Sequence, residues 1–113
     1  MAVRHPRNDR LEPDVTGFVQ IMEIETSRFD EVRALMDRMR EENRGTLRST
    51  RALFAADRDR PGHYLGIIEF RSYEEAMEQS NDPAVSGFAQ QLGALLDGPP
   101  TFHNLDIAQV IED

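Results

Sequence analysis

The sequence predicts an α+β sandwich: a single domain whose elements run strand, helix, strand, strand, helix, strand. Three observations carry this. Residues 63–82, HYLGIIEFRSYEEAMEQSND, read as a buried strand (His63 to Phe70) running directly into a capped helix from Ser72. The first apolar segment, GFVQIMEIE over residues 17–25, has period-two alternation with apolar side chains on both faces. The length of 113 residues suits one domain, with a real core but little to spare.

Taken in order, residues 1–14 are polar, hold two prolines and lack periodicity. They are expected to form a flexible N-terminal arm, leaving 15–113 as the domain. In the first strand Val19 and Ile21 point one way, and Phe18, Met22 and Ile24 the other. A strand apolar on both sides is expected to be covered on both sides. Helices can cover one face. In a chain this short, a second copy is the simplest cover for the other, so the expected partner is the chain itself, as a homodimer.

A first helix is expected over about residues 28–43. Ser27 can act as its N-cap, with Asp30 three residues later in a capping-box arrangement. Phe29, Val32, Leu35, Met36 and Met39 draw one apolar stripe; Arg33, Asp37, Arg38, Arg40, Glu41 and Glu42 fill the other side. Gly45 is a suitable stop. A second strand over 47–56 is diluted by Arg48, Ser49, Thr50 and Arg51, as edge strands often are. DRDRPG (57–62) reads as a turn into the third strand. Ser72 and Glu75 form a second capping box, opening a short helix through Gln79. Asp82 and Pro83 then restart the chain as N-cap and first helical residue of a helix over 83–96, which buries Val85, Phe88, Leu92, Leu95 and Leu96. A last strand is expected over 101–111. It would place His103, Leu105, Ile107 and Ile111 on one face, and Phe102, Asn104, Ala108 and Val110 on the other. The βαββαβ order is ferredoxin-like, with an antiparallel sheet in which strands one and three are central.

Composition excludes several kinds of chemistry. The 39% apolar and 30% charged content is that of a soluble globular protein. No apolar run approaches the roughly 18 residues of a membrane span. The N-terminus, MAVRHPRNDRLEPD, has no apolar core of a signal peptide, so a cytoplasmic location is expected. The absence of Cys removes thiol catalysis, disulfides and cysteine-held metals. All 13 basic residues are Arg, which removes Schiff-base chemistry and the lysine of a phosphate-binding loop. A net charge of −8 argues against nucleic acid and anionic membranes as partners. Neither G-x-G-x-x-G nor G-x-S-x-G occurs.

The element order, the doubly apolar strands and the run NDPAVSGFAQQLGALLDGPPTFHNLD (81–106) together resemble the dimeric α+β barrel superfamily, which includes antibiotic-biosynthesis-monooxygenase-like proteins. The likeness covers about residues 15–111, and the run looks like the C-terminal half of small bacterial members. It implies two sheets packed face to face, helices outside, and a ligand cavity between each sheet and its own helices. Haem-degrading relatives use a Trp with an Asn and a His; this chain has no Trp, and no cofactor is expected. Fold alone does not assign function.

His63 and His103 open strands expected to flank the first, near Glu23 and Glu25. They read either as a His–carboxylate–His proton relay or two-His metal site, or as unrelated strand-end histidines. Tyr64 and Asn104 could orient a phenol or stabilise an oxyanion, or be ordinary strand residues. Arg51 could bind a substrate carboxylate, pair with an acid across the dimer, or stay solvated. Phe54, Phe70, Phe88, Phe102 and Met22 could line an apolar pocket, and at strand and helix spacing they also read as plain core. The expected function is binding of a small apolar or aromatic ligand without a clear catalytic signature. The alternative is a cofactor-independent monooxygenase-like enzyme acting on a polycyclic or phenolic substrate, with His63 or His103 as base.

Overall fold

The computed structural model describes residues 17–112; the arm expected over 1–14 lies outside them. The chain runs β1 (Phe18–Glu25), α1 (Phe29–Glu42), β2 (Ser49–Ala56), β3 (His63–Phe70), α2 (Tyr73–Ser80), α3 (Pro83–Leu95) and β4 (Thr101–Asp106). The strands form one antiparallel sheet in the order β2-β3-β1-β4. This is the ferredoxin-like α+β arrangement, with its second helical segment divided at Asn81 and Asp82. None of the described helices is long and apolar enough to cross a membrane.

Local signals explain most boundaries. Ser72 caps α2 by accepting a hydrogen bond from Glu75 N at 3.1 Å, and Asp82 caps α3 by accepting from Ala84 N at 3.0 Å. Gly62 closes the turn into β3 at φ +83, a left-handed conformation that side chains disfavour. The start of α1 differs from expectation. Its N-cap is Arg28, with no side-chain cap, and Ser27 is exposed. The neighbouring Thr26 is used instead. It is 1% exposed; its hydroxyl accepts from Arg28 N (2.9 Å) and donates to the carbonyl of Leu95 (2.7 Å). Tying the end of β1 to the end of α3 takes precedence over a cap. Thr26→Val keeps the shape and strands Arg28 N and the Leu95 carbonyl. It is expected to cost about 2 kcal/mol, read as a lower urea midpoint at fixed protein concentration with an unchanged slope.

The last strand also differs from expectation: β4 stops at Asp106 rather than reaching Ile111. The register supplies the reason. Asp106 pairs with Phe18, the first residue of β1, so the strand runs out of partner. One further bond, Ile107 N to Gly17 O at 2.9 Å, ends the pairing. On β2, a bulge at Thr50 shifts the register between Ser49 and Arg51.

The sheet has two unlike faces. Met22 and Ile24 of β1 pack on Val32 and Leu35 of α1 and on Phe88 and Leu92 of α3. A second cluster joins Phe18, Phe70 and Ala76. Both lie on the helix-covered face, and Gln20 stands between them on the same side of β1. Among the described residues no helix covers the opposite, open face. Val19, Ile21, Leu53, Leu65, Ile67 and Leu105 share it by register, with Leu65 37% and Leu105 46% exposed.

Candidate functional site

Because the core is two clusters rather than one, space remains between them. A cavity of about 600 Å³ lies between the sheet and the helices, within the range that holds drug-sized ligands. Met22, Phe88 and Leu92 of the first cluster and Phe70 and Ala76 of the second contribute to its wall. α1 adds Met36, Met39 and Arg40; β2 adds Ala52 and Phe54; β4 adds Phe102 and Asn104. Small side chains at Ala52, Ala76, Ala89 and Gly93 leave the room, and methionine lining adapts to shape.

Phe54 is held in place by a glycine across the strand pair. Its partner is Gly66, and a Cβ there would sit 2.9 Å from the Phe54 ring. The bare backbone of β3 lets the ring lie against it. Phe102 is half exposed on the edge strand. At the polar part of the wall, Gln20 Nε2 donates to Asn104 Oδ1 at 3.0 Å, leaving the Asn104 amide N–H2 group and the Gln20 carbonyl open. The carboxamide oxygen of Gln79 is already used by Arg48 N and Ser49 N.

The residues proposed from sequence divide between the two faces. Asn104, Met22, Phe54, Phe70, Phe88 and Phe102 line the cavity. Tyr64 is on the same side of the sheet but outside the wall. Its ring stacks on Phe29 at 4.2 Å. His63, His103 and Arg51 belong to the open face, by their pairing with Glu25, Ile21 and Glu69. The histidines do not share a carboxylate. His103 Nε2 donates to Glu23 Oε2 at 2.5 Å, while His63 Nε2 lies 3.6 Å from Glu25 Oε2. The other ring nitrogen of His63, Nδ1, accepts from Arg60 at 2.7 Å. Among the described residues no three of His, Asp and Glu gather to hold a metal. Arg51 lies 3.9 Å from Glu69 and faces away from the cavity.

Among the wall residues that were not candidates from sequence are Gln20 and Arg40, the latter read there as part of the polar side of the first helix. Gln20 is the polar exception among Phe18, Met22 and Ile24 on one side of β1. Arg40 follows Met36 by four residues, at the margin of the apolar stripe of α1.

No family model and no curated protein matches the chain. Solved structures do. The cofactor-independent oxygenase SnoaB from Streptomyces nogalater is similar at 13% identity, with 87% of this chain and 99% of that one covered and a TM-score of 0.73. A conserved protein from Methanosarcina mazei Go1 matches at 9% identity over 82% and 94% of the two chains, with a TM-score of 0.72. An antibiotic biosynthesis monooxygenase matches at 16% identity over 79% and 96%, with a TM-score of 0.63. At these identities the likeness is one of fold: the chain has the ferredoxin-like α+β fold of antibiotic-biosynthesis-monooxygenase-like proteins.

Proposed function

We propose that this chain is a dimeric ligand-binding protein that holds a small apolar or aromatic molecule between its sheet and helices. The cavity between the two core clusters carries this reading. Its wall is mostly aromatic, methionine and aliphatic, with an amide pair placed to orient one oxygen of a phenol or quinone.

The dimer is proposed from the open face. An apolar centre of Ile21, Ile67, Leu53 and Val19 is bordered by Glu23, Glu25, His63, Arg51 and Glu69. An apolar centre with a polar rim of both signs is the anatomy of an interface. A second copy laid on this face would cover an apolar patch that water otherwise meets.

A second reading, a cofactor-independent oxygenase, draws on the fold likeness to a protein with that activity. In it the Asn104 amide would stabilise a developing oxyanion. Binding is preferred because, among the described residues, the wall holds no His, Asp, Glu, Lys or Tyr that could take a proton from a substrate. His63, His103 and Tyr64 stand elsewhere.

The test is a thermal-shift screen against polycyclic phenols and quinones, with flavin, haem and divalent metals alongside. A phenol or quinone at 100 times its Kd is expected to add about 2.7 kcal/mol to the folded state. Oxygen uptake with a stabilising phenol would move the assignment to the oxygenase. A panel without any stabilising phenol or quinone would overturn the ligand-binding reading.

A further inference from the structure

We infer that the cavity selects apolar ligands bearing one negative charge, and that Arg40 is the residue that selects them. This rests on the cavity being a ligand site, and it names the class of ligand the site prefers.

The charge pattern of the wall carries the inference. The chain has 21 acidic residues and a net charge of −8. Among the described residues none of the acids lines the cavity, and Arg40 is the one charged residue of its wall. A wall of charge +1 inside a chain of −8 is a local reversal of sign. An apolar surround strengthens an electrostatic contact relative to open water. A guanidinium beside such a wall repels a cationic ligand and offers an anion two parallel N–H donors.

The position of Arg40 fits that role. It sits in the last turn of α1, next to Met39 and one turn beyond Met36, both of which line the same cavity. Its stem can lie along the methionines while its head stays hydrated. The arginines around it are engaged: Arg33 with Asp30, Arg38 with Gln91, and Arg44 with Glu41. Among the described residues Arg40 has no salt bridge and no side-chain hydrogen bond. The other wall groups suit a neutral oxygen rather than an anion. Ser86 spends its hydroxyl on the Pro83 carbonyl, and the Gln20–Asn104 pair presents one carbonyl and one N–H2 group. Recognition therefore has two points: amide groups for a neutral oxygen, and Arg40 for a carboxylate, sulfonate or ionised phenol.

Two dyes of one skeleton test this. N-phenyl-1-naphthylamine is neutral, and 8-anilinonaphthalene-1-sulfonate adds a single negative charge. The absence of Trp keeps the fluorescence background low. Arg40→Met is expected to weaken the sulfonate by about tenfold, the lower end for a charge-assisted bond because the side chain is exposed. The neutral dye should change by less than about twofold, since Met keeps the apolar stem. Arg40→Lys should retain most of the sulfonate affinity, as a charge without the fork. Ala89→Phe, which fills the cavity from an exposed position on α3, should weaken both dyes and so locate them. Unchanged sulfonate affinity in Arg40→Met, or an equal loss for both dyes, would overturn the role of Arg40 and leave the cavity as a ligand site. Failure of both dyes to bind the unsubstituted protein, or their indifference to Ala89→Phe, would overturn the cavity reading itself. Sulfonate, carboxylate and phenolate are then separated by ranking 2-naphthoic acid against 2-naphthol at a pH above and below the ionisation of the naphthol.

Discussion

Ile67→Asp is expected to run as a folded monomer where the unsubstituted chain runs as a dimer. Ile67 lies at the middle of the open face, opposite Ile21 of β1 and Leu53 of β2. In the proposed dimer a second sheet covers this position, and the two-fold relation would bury two new carboxylates among apolar side chains. Burying an unpaired charge costs several kcal/mol per ion even after relaxation. On the separated chain the same Asp faces water, and the loss is the roughly 1 kcal/mol of a poorer strand former. Light scattering should give twice the 12.9 kDa chain mass for the parent protein and the single mass for the variant, with far-ultraviolet dichroism preserved in both. A parent protein that is monomeric at micromolar concentration would contradict the proposed dimer.

Phe18→Ala is expected to remove about 3–5 kcal/mol, a large share of the roughly 5–15 kcal/mol that holds an ordinary domain folded. Phe18 is 2% exposed and is the hub of the second cluster. Its ring lies 6.3 Å from that of Phe70 and 5.4 Å, edge-on, from that of Tyr73. Truncation would remove both aromatic contacts and leave a void in the cluster. Urea denaturation measures the loss. A decrease below about 1 kcal/mol would mean that the cluster repacks, as a cavity closing on itself would allow.

The fold was legible because its signals are local. Capping at Ser72 and Asp82 needs only four consecutive residues, and β3 is bounded by a turn sequence on one side and a capping box on the other. The places where expectation and structure part are settled by distant partners. Ser27 satisfies a capping pattern, yet Thr26 beside it is drawn 69 residues along the chain to Leu95. The alternation of β4 continues to Ile111, but strand pairing ends where β1 begins, at Phe18. The bulge at Thr50 has no mark in composition, and it puts Ser49 and Arg51, two residues apart, on opposite sides of the sheet.

The candidate site was less legible for the same reason. Period two places Glu23 and Glu25 on one face of β1, and the pairing of the strands brings His63 and His103 to that face. The register decides which carboxylate each histidine meets, and it gives each its own. Tyr64 and Asn104 fall on the opposite face, so the four polar candidates do not converge. A cavity is a gap between clusters, and its existence depends on alanines and a glycine whose smallness has no meaning until the helices are placed. The apolar wall residues are visible in sequence as apolar residues. Whether such a residue faces a void or a neighbour is a property of the packed chain alone.

The most direct measurement on the ligand-binding claim is a methionine-methyl NMR titration with N-phenyl-1-naphthylamine. Met22, Met36 and Met39 line the cavity, whereas Met77 packs against the Phe18–Phe70–Ala76 cluster outside its wall. A ring seated in the cavity should shift the first three methyl signals together, saturably and with one Kd, and leave Met77 nearly still. Saturable dye binding that moves none of the three would place the ligand elsewhere and contradict a binding site between sheet and helices.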